Sequence, residues 1–229
     1  MSEQVRTMFA SIADKYDITN SVLSMGTHHR WRKTAVKMSG AAKGMSVLDC
    51  ATGTGDLALE FKKTVGPEGK VTGTDFCAEM METAPAKAAG RKLDVTFETA
   101  DAMDLPYSDN SFDIASIAFG IRNVDGPSQC LRELARVVKP GGKVIVLEFG
   151  QPSGLLKYPY NFYSKHVIPC VGGMITGNRE AYAYLPETSA SFPAGEAFTR
   201  LMIESGKYRG QKAKSLMGGI AYVYAGDVL

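Results

Sequence analysis

The feature that most constrains the fold is a short apolar run that stops at a glycine turn and continues as a helix. The run MSVLDCA (45–51) has the character of a buried strand, and Gly53-Thr54-Gly55 follows it. The next stretch, DLALEFKKTVG, places its apolar residues on one helical face and ends at a Gly-Pro pair. Strand, tight turn and helix in this order open a βαβ unit, so a parallel sheet is predicted.

The same alternation continues through the middle of the chain. We predict four further strands, at GKVTGTD, LDVTFETAD, FDIASIAFG and GKVIVLEF. Between them we predict a helix over 79–89, kinked at Pro85, and a helix that runs through Leu131, Leu134, Ala135 and Val138 to a KPGG stop. The fold class is therefore α/β, with a doubly wound parallel sheet that helices cover on both faces.

Two flanking regions lie outside the alternation. Residues 1–43 are predicted to be helical, with the second helix around 29–38. Residues 151–190 are rich in Tyr, Pro and Gly, show no clear period, and are interpreted as a cap over the site because they are too long for a simple connection. From residue 192 onward the pattern indicates one helix and then two strands.

Composition excludes several classes of protein. The 26 Lys and Arg against 24 Asp and Glu give a net charge of only +2, which is not the basic balance of a nucleic-acid binder. The four cysteines are far apart and form no CxxC pair, so we predict buried free thiols and no metal site. No apolar run approaches the roughly 20 residues of a membrane-spanning helix, and the N-terminus lacks a signal-peptide core. We expect a cytoplasmic protein that works in solution or at a membrane surface.

The glycine turn predicts a site for an anionic ligand. Gly53, Gly55 and Ala58 fit the pattern GxGxxG/A, in which glycines let the backbone approach a ligand and the helix N-terminus offers free N–H groups. Asp75 closes the second strand and is placed to accept hydrogen bonds from two ribose hydroxyls. The pattern alone suits NAD as well as S-adenosylmethionine.

Three details favour S-adenosylmethionine. Asp49, inside the first strand, is placed to receive the methionine ammonium, directly or through water. Asp101 and Ala102 close the third strand, where a carboxylate and a backbone N–H match an adenine amino group and ring nitrogen. The Pro-Gly-Gly turn at 140–142 then leads into the fifth strand, and a dinucleotide enzyme does not need this set of three.

The chain resembles a known family over nearly its whole length. VLDCATGTGDLAL, VTGTD, ETADAMDLPYSDNSFD and RVVKPGGKVIVLEF resemble the successive motifs of class I S-adenosylmethionine-dependent methyltransferases. YDITNSVLSMGTHHRW, FGIRNV and GNREAYAYLPETSASFP resemble the ubiquinone/menaquinone biosynthesis C-methyltransferases more narrowly. The chain departs from that pattern at Thr19, at Gly150, at Ala118 and at Ser205-Gly206, outside the motif cores.

The resemblance implies a Rossmann-like fold with seven strands, the last one antiparallel, in one domain over 1–229. That domain would comprise N-terminal helices (1–43), a cofactor-binding core (44–150), a substrate cap (151–190) and a C-terminal helix with a strand pair (191–229). It implies Thr54, Asp75, Asp101 and Ala102 as contacts to S-adenosylmethionine, with Ala118 offering only its backbone. The implied reaction is C-methylation of a polyprenylated quinol, from demethylmenaquinol to menaquinol or in ubiquinone biosynthesis.

Methyl transfer to a ring carbon needs ionisation of the adjacent quinol hydroxyl, which normally titrates near pH 10. Arg122 and Asn123 follow the fourth strand, where the Arg charge is placed to stabilise a phenolate and the amide to bond the quinol oxygen. His28 is the third catalytic candidate. Five tyrosines are candidates for an aromatic slot around the ring: Tyr16, Tyr160, Tyr163, Tyr182 and Tyr184.

Other interpretations stay open. The same motifs would serve a class I methyltransferase with a soluble acceptor, or a noncatalytic cofactor-binding partner in a quinone-biosynthetic complex; an NAD-dependent oxidoreductase fits less well. A polyprenyl substrate also requires access to lipid. Residues 154–175, with bulky apolar groups and Lys157, are predicted to form a mobile cap that touches the bilayer weakly. Packing of that segment over the sheet, or a homodimer contact, is the alternative.

Overall fold

The computed structural model describes residues 3–229 and contains seven strands and eleven α-helices over that range. The strands are β1 (Ser46–Cys50), β2 (Lys70–Asp75), β3 (Thr96–Thr99), β4 (Phe112–Ala118), β5 (Val138–Phe149), β6 (Tyr208–Leu216) and β7 (Ala221–Val228). The helices are α1 (Glu3–Ala10), α2 (Tyr16–Leu23), α3 (Thr27–Ser39), α4 (Asp56–Val65), α5 (Ala78–Met81), α6 (Ala84–Gly90), α7 (Pro127–Val137), α8 (Lys157–Phe162), α9 (Ile168–Thr176), α10 (Arg179–Ser191) and α11 (Glu196–Glu204).

All seven strands form one sheet in the order β3-β2-β1-β4-β5-β7-β6. The pairs among β1 to β5 are parallel, and β7 lies antiparallel between β5 and β6. The predicted doubly wound, mostly parallel fold with an antiparallel last strand is confirmed. The strand order reverses between β1 and β4, and in open α/β sheets ligands bind beside the carboxyl ends of the strands at such a point.

The burial of the helices agrees with their sequence periods. The apolar face predicted for α4 is buried at Leu57, Phe61 and Val65, and β4 is buried on both faces. Helix formation over 79–89 is interrupted, so that α5 and α6 are separate helices, with Pro85 in the first turn of α6. Proline suits that position because its missing N–H has no helical partner there.

One predicted boundary is wrong. Val138 was placed in the helix before KPGG, but α7 ends at Val137 and Val138 already pairs with Phe112 of β4. The ladder resumes with Lys143 opposite Ile114, and Gly141 between them has φ 79°. KPGG is therefore an irregularity inside β5 rather than a turn in front of it, because glycine at positive φ lets the strand bulge and continue.

The two flanking regions are helical. The N-terminal region holds three helices, and the one expected around 29–38 is α3, the third of them. The cap is not the irregular segment that its composition suggested: α8 and α9, joined by a π-helical turn at 163–167, and α10 cover most of it. α2, α9 and α10 pack around a small buried cluster of Ile12, Leu23, Ile168, Ala181 and Tyr182. The weak hydrophobic period of the cap did not predict these helices. Their packing against α2 provides the apolar contacts that stabilise them.

Three cysteines, Cys50, Cys77 and Cys130, are buried free thiols as predicted, whereas Cys170 is exposed on α9. Among residues 3–229, no helix combines the length and the apolar character needed to cross a bilayer.

Candidate active site

Two neighbouring cavities lie at the carboxyl edge of the sheet. The first, of about 70 Å³, is lined by the segments that leave the first four strands: Ala51 and Gly53 after β1, Asp75–Cys77 after β2, Ala100–Ala102 after β3, and Ile117–Gly120 at the end of β4. We call it the cofactor cavity. The second, of about 270 Å³, lies between the N-terminal helices and the cap. We call it the apolar cavity. Phe9, Tyr16 and Phe119 line both, so the two cavities share a wall.

The glycine turn and Asp75 are joined by hydrogen bonds. The N–H of Gly53 donates to one carboxylate oxygen of Asp75 at 2.8 Å, and the N–H of Cys77 donates to the other at 2.9 Å. Burial raises the pKa of Asp75, and these backbone donors oppose that rise. Each oxygen has two lone pairs, so each retains acceptor capacity toward a donor in the cavity. This chemistry fits a pair of ribose hydroxyls.

Three predicted cofactor residues do not line the cofactor cavity in the described part of the chain. Gly55 has φ 82°, and a Cβ there would stand 2.9 Å from the ring of Phe97, so glycine is required for packing. Asp49 is buried and accepts hydroxyl hydrogen bonds from Thr52 and Ser116 at 2.8 and 2.7 Å. Burial raises the pKa of Asp49 to about 6, although both hydroxyls oppose the rise. Their contacts with a cofactor stay predictions.

The third of these residues, Thr54, is buried and faces the N-terminal helices. Its hydroxyl donates to Asp17 of α2 at 2.6 Å. Asp17 also pairs with Lys87 of α6, and Lys87 pairs with Asp56 at 3.0 Å. The hydroxyl therefore ties α2 to the glycine turn, a role that the sequence pattern did not indicate.

Asp101, Ala102 and Ala118 lie on the wall of the cofactor cavity, as predicted. One carboxylate oxygen of Asp101 accepts the N–H of Met103 at 2.9 Å, and its backbone C=O accepts the N–H of Asp104. Two hydrogen bonds thus hold the turn after β3. Two wall residues, Ala51 and Phe119, have positive φ (49° and 56°), a strained conformation for residues with a side chain.

The apolar cavity contains aromatic side chains from the N-terminal helices, from the cap and from the ends of β4 and β5. All five tyrosines predicted for an aromatic slot line it, together with Trp31 and Phe149. Burial raises the pKa of each of the five, so they are neutral phenols at neutral pH. The positive charge of Arg122 opposes this rise in pKa at Tyr16, Tyr160 and Tyr184.

Arg122 lies on the wall of the apolar cavity and is held by several partners. Its side chain is 3% exposed, and Nη1 donates to Glu148 at 2.7 Å and to the C=O of Phe119 at 2.6 Å. Its guanidinium carbon lies 5.3 Å from the centroid of the Phe149 ring. The charge expected to face a phenolate is therefore balanced by a buried carboxylate.

Asn123 lies on the other side, in the wall of the cofactor cavity. Its carbonyl oxygen accepts a hydrogen bond from the hydroxyl of Tyr184 at 3.1 Å, and Tyr184 lines the apolar cavity. The structure thus separates the predicted Arg122-Asn123 pair between the two cavities and joins them again through a tyrosine.

His28 is buried in the wall of the apolar cavity, whereas His29 is exposed. Burial, together with Arg32 and His29, lowers the pKa of His28 to about 4, and Nδ1 lies in a very short contact with the Ser24 hydroxyl. His28, His29 and Asp56 bring ligand atoms within 4.8 Å of one another. Asp56 is already held by Arg32 and Lys87, so this group does not indicate a metal.

Comparison with known proteins identifies the family. The profile of the ubiE/COQ5 methyltransferase family matches residues 1–227. The chain belongs to that family.

Relatives of this family match over nearly their whole length. The chain is 59% identical to the ubiquinone/menaquinone biosynthesis C-methyltransferase UbiE of Bdellovibrio bacteriovorus, covering 99% of this chain and 96% of that protein. It is 42% identical to the demethylmenaquinone methyltransferase of Deinococcus radiodurans, covering 98% and 92%. A solved S-adenosylmethionine-dependent methyltransferase of Thermotoga maritima, described as a possible histamine N-methyltransferase, has the same fold (TM-score 0.68, 21% identity, 97% and 99% coverage).

The family membership confirms the predicted enzyme class and cofactor. The protein is an S-adenosylmethionine-dependent C-methyltransferase, and the NAD alternative is excluded. Several residues of the site escaped the sequence analysis, above all Glu148, Asp17, Phe9 and Phe119. A charged residue inside an otherwise apolar strand, VIVLEF, was the available signal for Glu148. No local pattern announced the other three.

Proposed function

We propose that the protein methylates a ring carbon of a polyprenylated quinol, with demethylmenaquinol as the naphthoquinol substrate. The observation that carries the proposal is the tyrosine-lined apolar cavity, which shares Phe9, Tyr16 and Phe119 with the cofactor cavity. An apolar aromatic ring bound there lies next to the place where a methyl donor binds. Relatives named for ubiquinone/menaquinone biosynthesis and for demethylmenaquinone support this substrate class.

The cofactor cavity offers the contacts that S-adenosylmethionine needs. Asp75 would accept the ribose hydroxyls, and Asp101 with the Ala102 N–H would hold the adenine. Gly53 and Ala118 would contact the cofactor through their backbones. Asp49 would act beneath the turn by holding Thr52. When bound, the cofactor supplies an electrophilic methyl group on a sulfonium, so the protein mainly has to align the acceptor carbon, which is worth about 7–11 kcal/mol.

Catalysis would rest on Arg122, Asn123 and His28. Arg122 would stabilise the negative charge that develops on the quinol oxygen, as its effect on the neighbouring phenols supports. Asn123 would bond the same oxygen, because its amide lies between Tyr184 and the cofactor cavity. His28 would serve as a neutral hydrogen-bond acceptor, since its pKa of about 4 keeps it uncharged near pH 7.

Product analysis tests the proposal. The enzyme is incubated with S-adenosylmethionine and, side by side, demethylmenaquinol and a benzoquinol analogue. We expect a C-methylated naphthoquinol. Methylation of the benzoquinol alone would assign the enzyme to ubiquinone biosynthesis, and transfer only to a soluble acceptor would overturn the quinol proposal. Cofactor binding without any transfer would indicate the noncatalytic alternative.

We also propose that the mouth of the apolar cavity contacts the bilayer weakly. Met25, Leu156 and Met217 line the cavity and are 79%, 41% and 49% exposed, so they mark its opening. Beside them on the cap, Leu155, Tyr158 and Phe162 are also exposed. Exposed apolar side chains grouped at a cavity mouth are typical of an interaction surface.

The charge pattern at this opening supports an anionic lipid surface. The three segments that supply the mouth residues, 18–48, 149–178 and 205–226, contain no Asp or Glu. They carry Lys and Arg, including Arg30, Lys157, Lys165 and Lys214, all of them exposed. Although the chain as a whole is nearly neutral, this part is cationic, and each cation near an anionic membrane contributes about 1 kcal/mol.

Vesicle sedimentation tests the contact. The parent should sediment with vesicles of phosphatidylglycerol and phosphatidylcholine more than with phosphatidylcholine alone. Leu155→Asp/Leu156→Asp should lose sedimentation and turnover of a long-tailed quinol but keep turnover of a short-tailed one. Ile203→Asp, at an exposed position of α11, is the matched control. Equal loss with both substrates, or a change of mass in solution, would instead assign the segment to packing or to a homodimer.

A further inference from the structure

Glu148 is a buried carboxylate behind Arg122, and it lines neither cavity itself. It lies near the end of β5 and is 1% exposed. One oxygen accepts from Arg122 Nη1 at 2.7 Å and from the N–H of Phe149 at 2.8 Å. The other faces the N–H of Arg122 at 3.4 Å. The carboxylate therefore holds both the side chain and the backbone of Arg122.

The partners of Arg122 orient its side chain as well as balance its charge. Nη1 also donates to the C=O of Phe119, and Nε lies 3.4 Å from the Thr188 hydroxyl on α10. These contacts come from β5, from the strained residue after β4 and from the cap. An arginine held from three sides cannot turn toward solvent, so its position relative to the cavity is set by these partners.

We propose that Glu148 is a positioning residue that fixes the Arg122 guanidinium against the cavity wall and balances its charge while the neutral quinol binds. This inference rests on the proposed function, because it needs a quinol in the apolar cavity. A lone cation in an apolar wall would disfavour entry of an uncharged ring, whereas a neutral pair does not. The cation is then already in place when negative charge develops on the substrate oxygen.

The tyrosines and His28 that line the apolar cavity do not change their charge between pH 6 and pH 9. The titratable and charged side chains that line it besides Arg122 are Tyr16, His28, Arg32, Tyr160, Tyr163, Tyr182 and Tyr184. The pKa of each tyrosine is raised by burial and that of His28 is about 4, while Arg32 is paired with Asp56 at 3.0 Å. A pH profile of methyl transfer above pH 6 therefore reports ionisation of the quinol rather than of these tyrosines or His28.

Two substitutions separate charge balance from position. Glu148→Gln keeps an acceptor for Arg122 and removes the negative charge. Glu148→Asp keeps the charge and withdraws it by one methylene. Single-turnover methyl transfer to a short-tailed demethylmenaquinol, with saturating cofactor, is measured from pH 6 to pH 9. Asp227→Asn, which removes the Lys143–Asp227 pair between β5 and β7, is the matched control.

We expect the pH of half-maximal rate to fall by about 0.5 unit or more in Glu148→Gln, because the unbalanced cation favours the ionised quinol. Glu148→Asp should lower the maximal rate about tenfold or more at an unchanged half-maximal pH, since a small displacement of a catalytic charge is costly. Cofactor affinity should stay within about twofold in both. If Glu148→Gln does not fold, Glu148→Asp decides alone.

Parental rate and half-maximal pH in the folded variants would overturn the inference. So would a rate that falls only in proportion to the folded fraction, as in the control. Failure of the parent to methylate the quinol would instead refute the proposed function, so the two failures are distinguishable.

Discussion

The two cavities of this enzyme are built in opposite ways. The cofactor cavity consists mainly of backbone groups and short side chains at the ends of β1 to β4, all between residues 51 and 124 except Phe9 and Tyr16. The apolar cavity draws its wall from side chains spread between Phe9 and Ile220, most of them on the N-terminal helices and the cap. The first depends on local turns, and the second depends on which helices pack together.

Electrostatics differ in the same way. In the cofactor cavity, carboxylates such as Asp75 and Asp101 accept backbone N–H groups and keep acceptor capacity toward a ligand. In the apolar cavity every charge is paired: Arg122 with Glu148, and Arg32 with Asp56. The cofactor cavity therefore offers a polar ligand free hydrogen-bond acceptors, whereas the apolar cavity offers an apolar ligand a wall without net charge.

Arg122→Ala should distinguish the two cavities most strongly, because it should lower turnover and leave cofactor affinity unchanged. We expect turnover to fall about 100-fold or more, as for loss of a donor that stabilises a developing oxyanion. Affinity for S-adenosylmethionine, measured by calorimetry, should stay within about twofold because Arg122 does not line the cofactor cavity in the described residues. Arg136→Ala, which breaks the ion pairs of Arg136 with Glu133 and Asp109, is the control. Turnover within about threefold of that of the parent would contradict the electrostatic role of Arg122.

The difference in pH-dependent stability between the parent and His28→Asn probes the apolar cavity. The folded pKa of His28 is about 4 against 6.5 in the unfolded chain, so only the unfolded chain takes up this proton as the pH falls below 6.5. His28 thus contributes stability above pH 6.5 that is lost as the pH falls toward 4. Between pH 7 and pH 5 the parent should lose about 1–2 kcal/mol more than His28→Asn in urea unfolding. Identical losses would mean that the cavity does not exclude the charge.

Asp75→Ala tests the cofactor cavity. Removing the acceptors for two ribose hydroxyls should weaken S-adenosylmethionine binding about tenfold or more, because such hydrogen bonds contribute about 0.5–3 kcal/mol each. Calorimetry gives the affinity, and circular dichroism checks the fold. Asp104→Ala, an exposed carboxylate close to the cavity, serves as the control. Unchanged affinity in a folded variant would remove Asp75 from the site.

Thr54→Val should have the smallest effect and shows whether the cavities are coupled. The substitution removes the hydroxyl that ties the glycine turn to Asp17, one residue after Tyr16 in the shared wall. We expect a stability loss of about 1 kcal/mol and a loss of cofactor affinity of about threefold. Thr64→Val, on the exposed face of α4, should change neither. Equal behaviour of both variants would mean that α2 does not steady the turn.

The sequence predicted the fold well wherever a local pattern within a short stretch determines the secondary structure. The period of α4, the glycine turn and the apolar β4 were sufficient to place the sheet, and Asp75, Asp101 and Ala102 follow directly from strand ends. It failed at KPGG, where β5 bulges, and in the cap, whose helices α8, α9 and α10 bury few residues and so show no clear period.

By itself, the sequence determined the succession of the strands and of the helices between them, the glycine turn and the resemblance that gives the reaction class. Only the tertiary structure decided that Glu148 balances Arg122, that Thr54 bonds Asp17, and that Asn123 and Arg122 face different cavities. The physical reason is distance along the chain. Periodicity and turn chemistry act over a few residues, whereas these contacts join residues 26 and 37 positions apart, and only the packed sheet and helices bring them together.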